Sequence, residues 1–152
     1  MADYNLSVQV IGAKELKDAL TSVDSFAREQ LRLAINKTAI DLERKARDKA
    51  PHKKGGLYNS IHTEPAVVTQ SNIEAKVGTN LDYARAQEYG TQGMTIHSHS
   101  KTGKQFTYIG NIKPHYYMRD AKNETKPELT DNLQEALRKI ISHLATKGTS
   151  EL

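Results

Sequence analysis

From Ala13 to Ala50 the chain contains neither proline nor glycine, and its apolar residues recur at steps of three and four. Leu16, Leu20, Val23, Ala27, Leu31, Ala34, Thr38, Leu42 and Ala46 fall on one stripe. That spacing is the signature of an amphipathic helix, or of two helices if Ser22-Val23-Asp24-Ser25 breaks the run. Unbroken, it would measure on the order of 55 Å at 1.5 Å per residue. A chain of 152 residues makes one domain, 1–152, and a lone small domain has little use for such a rod. Part of the stripe is therefore expected to pack on neighbouring subunits.

Around this helix the pattern changes to period two. Leu6, Val8 and Val10 alternate with polar neighbours over residues 4–11, a half-buried strand closed by Gly12. Pro51 stops the helix and Gly55-Gly56 turns the chain. Residues 57–68 read as a strand in which Pro65 marks an edge or a bulge. After a turn at Ser71-Asn72, the returning strand covers 73–79. Asn80 or Asp82 is placed to cap a helix of about two turns that Gly90 terminates. Residues 92–110 suggest a protruding β-hairpin, with Thr102-Gly103 as the turn and Ile96, Phe106 and Tyr108 beside it, or else a mobile loop. Thr125-Lys126-Pro127-Glu128 has the form of a capping box. It predicts a helix over 126–146 with Leu129, Leu133, Leu137, Ile140, Ile141 and Leu144 on its buried face and Gly148 after its end. The expected fold is α+β: a small, mainly antiparallel sheet from residues 4–11, 57–68, 73–79 and the protruding hairpin, against one long N-terminal helix, with a C-terminal helix beside it.

Several kinds of chemistry find no footing. The chain has no cysteine, which removes disulfides and thiolate metal sites. No apolar run approaches the ~20 residues that span a bilayer, and the N-terminus has no secretory pattern. His97-x-His99 would share a strand face, but a third ligand would have to be His115, brought in by folding, so a polar hairpin with exposed histidines is the plainer reading. Glu88 has no carboxylate partner in its own segment, which favours a cap or ion pair over acid–base work. Ser60 and Ser98 lack the glycine-flanked elbow of a hydrolase, and no phosphate-binding loop is present. No catalytic residue, metal site or cofactor is expected. The basic cluster Arg44, Lys45, Arg47, Lys49, Lys53 and Lys54, in a chain of net charge +4, reads as a solvated helix end, a surface for an anionic protein, or a phosphate contact. Tyr83, Tyr89, Tyr116 and Tyr117 suit either edge-of-core packing or a subunit interface.

Three blocks resemble the tail-completion, or head–tail joining, proteins of long-tailed bacteriophages. The first is Ala50-Pro51 with Gly55, Leu57 and Ser60-Ile61. The second is Val77-Gly78-Thr79-Asn80 with Tyr83-Ala84 and Glu88-Tyr89-Gly90-Thr91. The third is Pro114 followed by Tyr116-Tyr117-Met118-Arg119 and Ala121. Lys54, Tyr117 and Asp120 depart from the family's usual threonine, phenylalanine and proline, and the 92–113 insert is longer than many members carry. The resemblance implies a structural protein of the virion neck, present in the host cytoplasm during assembly. It would form a ring of six or twelve copies between a portal-side connector, adaptor or stopper and the tail terminator or tail tube, with double-stranded DNA only as passing genome and no membrane. Gly78, Thr79, Asn80, Tyr83, Glu88, Tyr89, Gly90, Thr91, Pro114, Tyr116 and Tyr117 would be its interface or motif residues. A small basic nucleic-acid-binding protein is the alternative.

Overall fold

Helix α1, Ser25–Lys49, turns its small and aliphatic side chains to one side, and everything else is arranged around that face. The structure, a computed structural model, describes residues 6–11, 25–52, 55–69, 72–92, 95–99, 105–109 and 111–149. The other elements are β1 Leu6–Ile11, α2 Gly56–Ser60, β2 His62–Val68, β3 Ile73–Thr79, α3 Ala84–Tyr89, β4 Thr95–His99, β5 Gln105–Ile109 and α4 Tyr117–Thr149. The class is α+β, as the patterning predicts.

Strands β1, β3 and β2 form an antiparallel sheet in that order, with β3 central. Central β3 is buried on both faces at its C-terminal end, where Val77, Gly78 and Thr79 are all covered. Strand β2 is an edge, and its register slips between Glu64 and Val67 around Pro65, as that proline foretells. The stripe residues Ala27, Leu31, Ala34, Thr38, Leu42 and Ala46 are all buried, and they join Leu57, Ile61, Ile73, Val77, Tyr117, Met118 and Ala121 in the core. Stripe positions 16, 20 and 23, the glycine closing β1, residues 4–5, the Ser71 turn position and the 102–103 turn lie outside the described residues.

Helix α4 runs antiparallel along α1. Buried Thr38 donates to Ala34 O at 2.9 Å and accepts from Asn132 Nδ2 at 3.0 Å. This polar pair between two apolar faces fixes their register, because sliding either helix would strand a buried donor. Phe26 stacks on His143 with ring centroids 4.0 Å apart further along the same seam.

Several local expectations are corrected. Residues 56–60 are a helical turn, so the strand begins only at His62. The hairpin strands β4 and β5 pair with each other as a separate sheet instead of extending the first. Helix α4 starts at Tyr117, nine residues before the expected position, and continues through Gly148. Thr125 and Pro127 are therefore interior, and the Thr125 hydroxyl donates back to Ala121 O at 2.8 Å instead of capping. Among the described residues its buried positions are Tyr117, Met118, Ala121, Thr125, Asn132 and Ala136, whereas Leu137, Ile141 and Leu144 are exposed. Leu129, Leu133 and Ile140 are half-buried against the core.

Candidate functional site

The three motif blocks, spread over residues 50–121, fold into one joint. At its first contact, Ser60 Oγ and Thr79 Oγ1 are 2.7 Å apart, and Ser60 also donates to Leu57 O at 2.8 Å. Thr79 Oγ1 accepts from Leu81 N at 3.2 Å, which turns the chain out of β3 towards α3. Neither Asn80 nor Asp82 occupies the N-cap of α3, which is Tyr83, a residue with no side-chain bond to the helix. Tyr83 crosses to the first block instead. A Cβ on Gly56 would lie 2.8 Å from the Tyr83 hydroxyl, so that glycine makes room for the phenol. Burial pushes the Tyr83 phenol above its ordinary pKa.

The second contact is the strongest. Glu88, only 1% exposed, accepts from Met118 N through Oε2 and from Arg119 N through Oε1, both at 2.9 Å. These amides belong to the first turn of α4, where N–H groups have no partner within the helix and the dipole favours a negative charge. A residue thirty positions upstream thus caps the helix. The main chain continues the contact, with His115 N donating to Gln87 O at 2.9 Å and Tyr116 N to Glu88 O at 3.1 Å. Tyr116 takes a left-handed conformation, φ 50°, that reverses the chain into α4, and its ring lies 3.6 Å below the Arg119 guanidinium carbon.

The third contact closes the insert. Gly90 has φ 75°, and a Cβ there would meet Ile112 O at 2.6 Å and Pro114 Cδ at 2.9 Å. Beyond it, Thr91 N donates to Ile112 O at 2.9 Å and Ile112 N donates to Thr91 Oγ1 at 3.2 Å. Beneath these contacts Tyr117 is fully buried, and its hydroxyl has no hydrogen-bond partner among the described residues. Burial, and then the nearby Glu88 carboxylate, push its phenol far above the ordinary range.

Of the predicted residues, Thr79, Tyr83, Glu88, Gly90, Thr91, Tyr116 and Tyr117 enter the joint, and Gly78 is buried in the sheet opposite Ser7 and His62. Asn80, Tyr89 and Pro114 stay exposed. Gly56, Ile112 and the amides of residues 118 and 119 were not anticipated, because the groups they meet lie far along the chain.

The described members of the basic cluster are ion-paired. Lys45 pairs with Glu128 at 2.6 Å, Lys49 with Glu124 at 2.7 Å, Arg47 with Glu43 at 2.9 Å and Arg44 with Asp41 at 3.4 Å. Arg47 also donates from Nε and Nη2 to Ile61 O, at 2.9 and 2.6 Å. The bond to Glu124, outweighing burial, raises the Lys49 pKa. Positions 53 and 54 lie outside the described residues. Among the described residues no three His, Asp or Glu side chains gather as a metal site, and no helix is long and apolar enough to cross a membrane.

What this geometry defines is a scaffold joint, in which the motif's polar groups bind one another and the backbone. Residues 14–90 match the family described as "Bacteriophage HK97-gp10, putative tail-component". The chain belongs to this HK97-gp10-like family. The match takes in α1, the first block and the second block up to Gly90; Thr91 and the third block, which Glu88 caps, lie beyond it. No curated protein and no solved structure matches the chain significantly.

Proposed function

We propose that this chain is a structural protein of the phage neck. Copies of it assemble as a ring joining the head connector to the tail tube, with the genome passing through the bore. The observation that carries the reading, alongside membership of a phage tail-component family, is how the motif residues are used. Glu88, the carboxylate an acid–base reading would need, and the motif residue Thr79 are committed to holding three segments in fixed relation. Such a joint suits a part that works by holding its shape, without a chemical step. Large apolar side chains are meanwhile left on the outside, among them Ile40, Val67, Tyr89, Ile141 and Leu144, as an assembling protein requires.

The partners of this reading are other copies of the chain, the portal-side connector or stopper, and the tail terminator or tail tube. Its location is the virion neck. The test is electron microscopy of particles made with the gene intact and deleted. Loss of the gene is expected to leave filled heads and separate tails; normal joined particles without the chain would refute the reading. The nucleic-acid alternative is disfavoured by the ion pairs that occupy Arg44, Lys45, Arg47 and Lys49. It would require binding to free DNA that falls steeply with salt.

A further inference from the structure

The two edges of the main sheet differ in kind. The β2 edge is blunted, since it carries Pro65 and a bulge, and its Ala66 N–H is taken by Asn36 Oδ1 at 3.2 Å. Strand β1 carries no proline, and its pairing with β3 shows no bulge among the described residues. Its six residues pair in unbroken register with β3, from Leu6 opposite Thr79 to Ile11 opposite Glu74. An antiparallel strand presents alternate N–H and C=O groups to each side, and no strand among the described residues pairs with the outer side of β1.

The same chain carries an incomplete sheet. Strands β4 and β5 pair over five residues each, from Thr95 opposite Ile109 to His99 opposite Gln105, and neither joins the main sheet. A two-stranded ribbon alone is marginal in water and gains independent stability when a third strand or a packed face is added. Five residues span about 17 Å and six about 20 Å, so the ribbon and the open edge match in length. The ribbon's base is pinned to the body by the Thr91–Ile112 pair.

We propose that the β4–β5 hairpin of one copy adds to the outer edge of β1 in the next copy. The contact joins a three-stranded and a two-stranded sheet into one five-stranded sheet across the subunit boundary. It uses two different surfaces of each copy, which is the head-to-tail kind of contact that closes into rings. Main-chain hydrogen bonds supply the recognition, as in other strand additions. The proposal rests on the reading of the chain as a self-assembling ring and names the surface through which it does so.

The chain lacks cysteine, so introduced thiols report only designed pairs. Particles are grown with a mixture of two variants, Gln9→Cys and Thr107→Cys, and treated with a short bismaleimide; Ser7→Cys and Ser98→Cys form a second pair. Mixed cross-linked dimers in at least one pair are the expected result. Particles whose neck ring is visible by electron microscopy but which yield no mixed dimer overturn the proposal and leave the ring reading standing. Linkage confined to a single chain, when both thiols are placed on one copy, also overturns it. Particles with no ring of this chain overturn the ring reading itself. Should the thiol variants fail to assemble, residues 95–109 are replaced by a short Gly-Ser link in the purified protein. Unchanged thermal unfolding with loss of self-association supports the proposal, and undiminished self-association refutes it.

Discussion

Replacing Glu88 should damage the fold far more than replacing any other glutamate, and the size of the effect comes from its two bonds. Each is a charge-assisted bond from a backbone amide, of a class worth roughly 1.5–3 kcal/mol. The two amides fare differently once the carboxylate is gone. Arg119 is exposed, so water can reach its N–H, whereas Met118 is fully buried and its N–H would be left dry. A dry, unpaired amide costs a further desolvation penalty of about 1–3 kcal/mol. Glu88→Ala is therefore expected to lose about 3–5 kcal/mol, most of it from the Met118 side. At about 2–4 °C per kcal/mol for a chain of this size, that is a drop in Tm of about 6–20 °C. Glu88→Gln keeps one acceptor but turns an NH2 donor towards a backbone N–H, so it should fall between Glu88→Ala and the wild type. Glu135→Ala, an exposed site on α4, is the control and should stay within about 0.5 kcal/mol. Urea unfolding monitored by circular dichroism reads the midpoints, and an unchanged m-value identifies a change in stability alone. A Glu88→Ala variant within about 1 kcal/mol of the wild type would refute the account of the joint.

Neighbouring contacts carry expectations of their own. Gly90→Ala forces a Cβ to 2.6 Å from Ile112 O at φ 75°, and should cost at least about 2 kcal/mol in the same unfolding assay; a neutral result would mean that the turn can re-form without its glycine. Tyr117→Phe removes a buried hydroxyl that has no partner among the described residues, so it should leave stability unchanged or raise it by up to about 1 kcal/mol. The same variant should resist alkali better. The folded Tyr117 phenol titrates well above its unfolded value, so the unfolded chain releases this proton first, and wild-type stability should fall as pH rises past about 10. Equal alkaline slopes for the two proteins would contradict this. Lys45→Ala breaks the half-buried pair with Glu128 and should cost about 1 kcal/mol, with little change in any retention on DNA; a large loss of DNA binding would instead favour the phosphate reading.

How much of this was legible in the sequence varied with the range of the forces involved. The buried face of α1 is set by spacing alone, because Ala27 to Ala46 meet the core through their own helix period. The edge character of β2 is set by Pro65, which cannot donate to a ladder. The start of α4 was hidden for the opposite reason. Its capping group is Glu88, thirty residues away, while the local Thr-Lys-Pro-Glu sequence imitates a cap that the tertiary contact overrides. The glycine pair at 55–56 and the polar Asn59-Ser60 gave no sign of a helical turn, because Gly56 is required by the Tyr83 ring and not by its neighbours. Exposure of Leu137, Ile141 and Leu144 was equally invisible, since a period identifies a shared face without saying what stands opposite it. At the joint, the residue types were readable and their pairings were not.

The Thr91–Ile112 pair has one more consequence. Because the chain leaves and re-enters the body at a fixed doorway, the stretch between these residues is an interchangeable module. Ribbons of other lengths or sequences could be spliced in without disturbing the helices on either side, so related phage proteins could vary the ribbon while keeping one unchanged frame.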